Sequence, residues 1–259
     1  MDFEKLAFIK DEMARFRYLF DEYLIFGALP AVVLSSQEKK QELLQSYFQT
    51  VVQKDIAERY KVENYTALRT LLKLLINSSY ITISKLTNSL KRMSISVGKS
   101  TINNYLSYIK SSYFMEELYI HSPAVINQLQ YPRKVYFVDN GFMTALSTKF
   151  SKNMGRLFEN VVFHKLAWEN EIIHYYKDYK GNEVDFAILN GGKTTALYQV
   201  CFDLTDEETQ NREVKALIKA GRTLDCQNLN LLTLEKPDTL KLPQEIKTIS
   251  AVDLFSPLG

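Results

Sequence analysis

Apolar side chains recur at helical spacing through the first part of the chain. Leu6, Ile9, Met13 and Phe16 form one stripe, and Leu43, Leu44, Tyr47, Phe48, Val51 and Val52 form another. Gly27-Ala28-Leu29-Pro30 interrupts the pattern between them. Residues from Asp2 to about Glu63 therefore read as helices. The helical period continues in shorter pieces, from Leu68 to Ile76, from Ser84 to Leu90 and, after a turn through Met93 to Gly98, from Ser100 to about Tyr113. In the last piece Ile102, Leu106, Ile109 and Tyr113 share one face, while Lys99, Asn103, Asn104, Ser107 and Lys110 turn largely to solvent. Ser100 is the expected N-cap. Two strands, Leu118 to Ile120 and Lys134 to Val138, follow.

From Lys152 onward the pattern changes. A helix from about Met154 to Trp168 precedes a strand at Ile172 to Tyr176, a turn at Tyr179-Lys180-Gly181-Asn182 and a strand at Glu183 to Leu189. Asn190-Gly191-Gly192 turns the chain into a third strand, Thr195 to Phe202, as a hairpin partner. Thr205 and Glu208 form a candidate capping box for a helix through Ala220, and Leu229 to Leu234 gives a last strand. The order is helix, three strands, helix, strand. The fold class expected is mixed α/β, helical first and αβββαβ afterwards.

Composition narrows this picture only slightly. A chain of 259 residues suits one large domain or two, and its 24% charged residues with 9 Gly and 6 Pro exclude a disordered or fibrous chain. The net charge of +2 leaves a nucleic-acid partner open, because clustering of basic groups matters more than their sum. Cys201 and Cys226 form no CxxC pair, and Met1-Asp2-Phe3-Glu4-Lys5 does not resemble a leader, which points to free thiols in the cytoplasm. The apolar runs are too short to expect a membrane partner.

Strand alternation locates the candidate chemistry. Val184, Phe186 and Ile188 share one face, which places Glu183 and Asp185 on the other; Ala196, Tyr198, Val200 and Phe202 likewise leave Gln199 and Cys201 together. Paired as a hairpin, these strands bring Asp185 to Gln199, and Glu159 from the preceding helix completes a three-oxygen cluster. Such a cluster suits Mg²⁺, a hard cation that prefers oxygen ligands and can activate water at a phosphoryl group. Arg212 and Lys215 on the following helix are candidate cations beside it.

The order and spacing of Glu159, Glu183-Val184-Asp185-Phe186 and Tyr198-Gln199-Val200-Cys201 resemble the core of the PD-(D/E)XK nuclease superfamily. In active members the last motif reads Glu-X-Lys, so the resemblance implies a catalytic and metal-binding set of Glu159, Asp185 and Gln199, with Cys201 in place of the lysine. Loss of one preorganised donor costs on the order of 10²–10³ in rate. The segment from Leu68 to Val138 resembles a winged helix, whose recognition helix would offer Lys99, Asn103, Asn104 and Lys110 to DNA, helped by Lys91 and Arg92.

Longer motifs extend the likeness: Tyr23-Leu24-Ile25-Phe26-Gly27-Ala28-Leu29-Pro30, Lys54-Asp55-Ile56, Tyr136-Phe137-Val138-Asp139-Asn140-Gly141 and Gly155-Arg156-Leu157-Phe158-Glu159-Asn160. Together they resemble the C-terminal half of a family of bacterial and archaeal AAA-type ATPases. The resemblance implies a helical region at 1–66, with Asp2 to Tyr23 as the end of an ATPase lid, a winged helix at 67–150 and a nuclease-like domain at 151–259. ATP would then act only through a module absent from this chain. Gly98-Lys99-Ser100-Thr101 looks like the end of a phosphate-binding loop, and Val135-Tyr136-Phe137-Val138-Asp139 like a magnesium-binding strand. The loop motif requires glycine where Met93 stands, so neither is read as a nucleotide site. Three functions remain open: a DNA-associated accessory region that binds without cleaving, a Mg²⁺-dependent nuclease, and a protein-interaction module that touches no nucleic acid.

Overall fold

The computed structural model describes residues 3–147, 154–236 and 242–255. Helix α1 (Phe3–Phe26) leads through Gly27 into α2 (Pro30–Val33), α3 (Gln37–Thr50) and a π-helical segment, Val51–Glu58. The side chains of Leu6 and Ile9, the start of the first expected stripe, lie outside the described residues. Gly27 adopts φ +73°, and a Cβ there would stand 1.7 Å from Asp139 Oδ1. Only glycine satisfies both conditions.

Next come α4 (Tyr65–Ile76), β1 (Tyr80–Ile81), α5 (Ile83–Arg92), α6 (Lys99–Ser111), β2 (Met115–Leu118), α7 (Val125–Gln130), β3 (Arg133–Phe137) and α8 (Asn140–Leu146). The strands pair antiparallel in the order β1-β3-β2. Ile102, Leu106 and Ile109 of α6 are buried as expected, but Tyr113 is 80% exposed. The helix ends at Ser111, and a left-handed turn at Tyr113, φ +57°, carries that ring out of the stripe. Ser100 is not the N-cap either. Gly98 holds that position, and no side chain caps the helix there.

The rest of the chain forms α9 (Met154–Glu169), β4 (Ile172–Lys177), β5 (Glu183–Asn190), β6 (Lys193–Cys201), α10 (Glu207–Thr223), β7 (Leu229–Thr233), β8 (Ile246–Ser250) and α11 (Ala251–Phe255). The sheet runs β4-β5-β6-β7-β8, with the first two pairings antiparallel and the last two parallel. This is a mixed α/β fold whose element order from α9 onward is the one expected, extended by β8 and α11. Before it, β1, α7 and α8 lie outside the expected elements, and β2 spans Met115–Leu118 where a strand at Leu118 to Ile120 was expected. The capping box expected from Thr205 and Glu208 does not form. Asp206 caps α10 instead, its carboxylate accepting from the Thr209 amide.

Three apolar clusters hold the molecule together, and they do not follow the divisions 1–66, 67–150 and 151–259. Phe48, Val52 and Ile56 share one cluster with Leu68, Leu72, Ile102, Phe137 and Leu157. Phe20 and Leu24 of α1 share another with Phe158, Phe186 and Leu232. The first 66 residues thus build no separate core, because α1, α3 and the π-helical segment bury apolar residues against later segments. The boundary at 150/151 falls outside the described residues. No helix among the described residues is long and apolar enough to cross a membrane.

Candidate functional site

The β1-β3-β2 sheet lies against the five-stranded sheet. On β3, Val135 and Phe137 enter the helical cluster, whereas Tyr136 enters the cluster of α9 and β5. Beyond β2 the chain continues to a bridge between Ile120 and Tyr175, with the Tyr175 amide donating to Tyr119 O at 3.0 Å. Both faces of the smaller sheet are therefore covered.

The segment from Arg156 to Asn160 forms this junction. The Arg156 guanidinium donates to the carbonyls of Leu75 and Ile76, which the C-terminal end of α4 leaves without helical partners, and to that of Ser78 just beyond it. Leu157 and Phe158 enter two different apolar clusters. Asn160 accepts from the Phe137 amide and donates to the Phe137 carbonyl, both at 2.8 Å, and donates to Asn140 Oδ1 at 3.0 Å. It completes β3 as a neighbouring strand would.

Glu159 and Asp185 come together as expected, around a residue outside the expected set. Lys134 of β3, 4% exposed, places its Nζ 2.6 Å from Asp185 Oδ1, 2.9 Å from Glu159 Oε1 and 3.1 Å from Glu183 Oε1. Tyr136 donates its hydroxyl to Glu159 at 2.7 Å, and Tyr80 donates to Glu183. The strand register explains the placement of Asp185. Between the pairs His174–Ala187 and Tyr176–Val184, two residues of β5 oppose one of β4, a bulge at Asp185-Phe186. The bulge interrupts alternation, so Val184 joins the α10 side of the sheet while Phe186 and Ile188 join the α9 side. The β5–β6 ladder ends at Phe186–Tyr198, and beyond it the Val200 amide donates to Asp185 Oδ2 at 2.9 Å.

Burial pushes the Asp185 carboxyl up to about 7, against the pull of Lys134. For Lys134 burial alone would favour the neutral amine, but Asp185 and Glu159 reverse this and hold its pKa well above the ordinary value. Burial would also raise Glu183, yet Lys134 and Tyr80 leave it below the ordinary range. One ammonium thus serves three carboxyl groups, with Lys134 and Asp185 buried and Glu159 and Glu183 half-buried at the edge of a cleft.

Gln199 lies next to the cluster but is turned away from it. Its Nε2 donates to Glu213 Oε2 at 2.7 Å, and its buried Oε1 has no partner among the described residues. Cys201 does not face the site. It is buried in the cluster beneath Leu217 and Ala220, and burial with the nearby Glu213 pushes its thiol up to about 11. A lysine at this position would start from the apolar layer. Glu159, Glu183, Asp185, Gln199, Arg212 and Glu213 line a cleft of about 570 Å³. Arg212 is paired with Glu213 at 2.6 Å, and Lys215 is exposed on the same helix.

The Mg²⁺ ion suggested by the three-oxygen pattern does not fit these residues as arranged. The Lys134 ammonium already contacts the facing oxygens of Glu159 and Asp185, and Gln199 is committed to Glu213 through its amide nitrogen. Asp139 is likewise a structural residue, accepting from the amides of Ala28 at 2.8 Å and Gly141 at 2.7 Å.

The α6 surface has a different character. Lys99, Asn103, Asn104, Ser107 and Lys110 are all exposed. Residues 64–115 contain Arg69, Lys73, Lys85, Lys91, Arg92, Lys99 and Lys110 without one Asp or Glu. Since the whole chain carries +2, the remainder carries +2 − 7 = −5. All seven basic residues are exposed, and the described ion pairs engage only Lys110, 3.6 Å from Glu116. This acid-free run was visible in the sequence as a local charge asymmetry. By contrast, nothing in the sequence distinguishes Lys134 from a solvent-facing lysine at a strand end.

Residues 17–153 match the model of a family described as Domain of unknown function (DUF8612). An uncharacterized protein of Methanocaldococcus jannaschii is 35% identical over 224 residues, covering 83% of this chain and 48% of that protein. An uncharacterized protein of Haemophilus influenzae is 25% identical over 197 residues, covering 74% of this chain and 49% of its own length. The chain spans about half the length of these curated relatives. No solved structure matches it significantly.

Proposed function

The chain belongs to the family Domain of unknown function (DUF8612), which assigns no activity, and from its own residues we propose a DNA-binding accessory region that does not cleave. The observation that carries this proposal is the acid-free run of residues 64–115, which places Arg69 and Lys73 on α4 and Lys85, Lys91, Arg92, Lys99 and Lys110 on α5 and α6. Seven exposed basic residues lie on a chain that is otherwise net acidic. In the winged-helix reading α6 enters the major groove, Lys99 and Lys110 meet phosphates, and Asn103 and Asn104 reach base edges.

The nuclease-like sheet serves in this reading as a scaffold, since its carboxylates are engaged by Lys134. The motifs from Tyr23 to Pro30 and from Gly155 to Asn160 support an AAA-type ATPase module as the partner, with any ATP and Mg²⁺ handled by that module. Two buried, unpaired cysteines support a cytoplasmic location.

Binding to a short DNA duplex, followed by fluorescence anisotropy, tests the proposal. The double substitution Lys99→Glu and Lys110→Glu is expected to weaken binding by about 10–100-fold at low salt and to flatten the dependence on salt by about two phosphate contacts. Equal affinity and an unchanged salt slope would refute DNA binding through α6 and favour a protein-interaction module.

A further inference from the structure

Lys134 belongs to the smaller sheet, yet all three of its carboxylate partners belong to the nuclease-like part of the chain: Glu159 on α9, Glu183 and Asp185 on β5. Its own strand does not need it for packing, because Val135 and Phe137 already serve the helical cluster. Tyr80 of β1 reinforces the contact, with its ring 5.6 Å from the ammonium and its hydroxyl bonded to Glu183. Thus β1, β3, β5 and α9 converge on one buried nitrogen.

We infer that Lys134 is a tethered cation standing where a divalent ion would otherwise sit, joining the two sheets and keeping the acidic cluster closed to Mg²⁺ or Mn²⁺. The charges favour this arrangement. Three carboxylates attract a cation, and an ammonium held at 2.6–3.1 Å from one oxygen of each occupies the point between them where an ion that needs oxygens at about 2.0–2.1 Å would sit. A divalent ion next to the ammonium would also meet direct repulsion in a poorly screened interior. Tethering adds to the advantage, because a side chain fixed by its strand competes at a far higher effective concentration than a dilute ion. Removing the ammonium leaves an unbalanced acidic cluster at the cleft that Glu159, Glu183 and Asp185 line.

This inference rests on the nuclease-like reading of the sheet and not on DNA binding, so its test contains no DNA. The full chain and Lys134→Met are titrated with MnCl₂ alone by calorimetry, and their unfolding temperatures are followed. The wild type is expected to show no Mn²⁺-dependent shift up to about 1 mM, while Lys134→Met binds at least about tenfold more tightly and melts higher with the ion. Adding Asp185→Asn to Lys134→Met should abolish that gain. If Lys134→Met does not fold alone, recovery of a cooperative transition on adding Mn²⁺ supports the inference, and failure to recover overturns it. Equal Mn²⁺ affinity in wild type and variant also overturns it.

Discussion

Lys134→Met is expected to lower unfolding stability by about 3–5 kcal/mol in metal-free urea denaturation at neutral pH, the range found when one partner of a buried ion pair is removed. Methionine fills most of the lysine volume, so the effect is electrostatic. Without the ammonium, Asp185 and Glu159 face each other inside the protein with Glu183 close by. Because the folded pKa of Lys134 is raised, its contribution is fully present below the ordinary lysine value and is lost only as pH rises through the raised one. Glu183 has the opposite sign. Its folded pKa is depressed, so its share of the difference is lost as pH falls through that depressed value. Adding Asp185→Asn should recover part of the lost stability, since the two sites are in contact and non-additive. A loss under about 1 kcal/mol would mean that the cluster is solvated and that Lys134 is an ordinary surface group.

Asn160→Leu is expected to cost about as much, on the order of 3–5 kcal/mol. Leucine removes the partners of the Phe137 amide and Asn140 Oδ1 in one step, and one of the two donors to the Phe137 carbonyl, which keeps His164 Nε2 at 2.7 Å. Each buried polar group left without a partner costs about 1–3 kcal/mol. Phe137 itself is fully buried, so water cannot readily take over these bonds. The substitution should leave the Lys134 cluster chemically intact while loosening β3, which carries it. Urea denaturation measures the loss, and near-wild-type stability would show that β3 does not depend on Asn160.

The periodic parts of this fold were legible because burial on one face leaves a plain record in the sequence. Ile102, Leu106 and Ile109 mark α6, and the alternation in β6 separates Tyr198 and Val200 from Leu197 and Cys201. The candidate cluster was half legible. Glu159 and Asp185 meet, but the bulge at Asp185-Phe186 depends on pairing with β4, and alternation within one strand carries no sign of it. Cys201 was misplaced for a related reason. Parity gives the correct side of the sheet but not the depth, and Cys201 lies far enough under α10 to be sealed off.

Lys134 was illegible because its role is tertiary. A lysine at the start of β3 reads as solvated until the second face of that sheet is seen to be covered. The motif from Gly155 to Asn160 was recognisable as a string, but its physical content was not. Arg156, Glu159 and Asn160 reach three different partners across the junction, none of them near in sequence.

The most direct measurement combines binding and cleavage in one sample. The full chain is incubated in Mg²⁺ with supercoiled plasmid and with a short duplex, at two salt concentrations, and both the complex and the DNA products are resolved on gels. The expected result is a complex that weakens steeply with salt, with the plasmid remaining supercoiled throughout. Nicked or linear plasmid that disappears with Asp185→Ala would contradict it, as would the absence of any salt-sensitive complex.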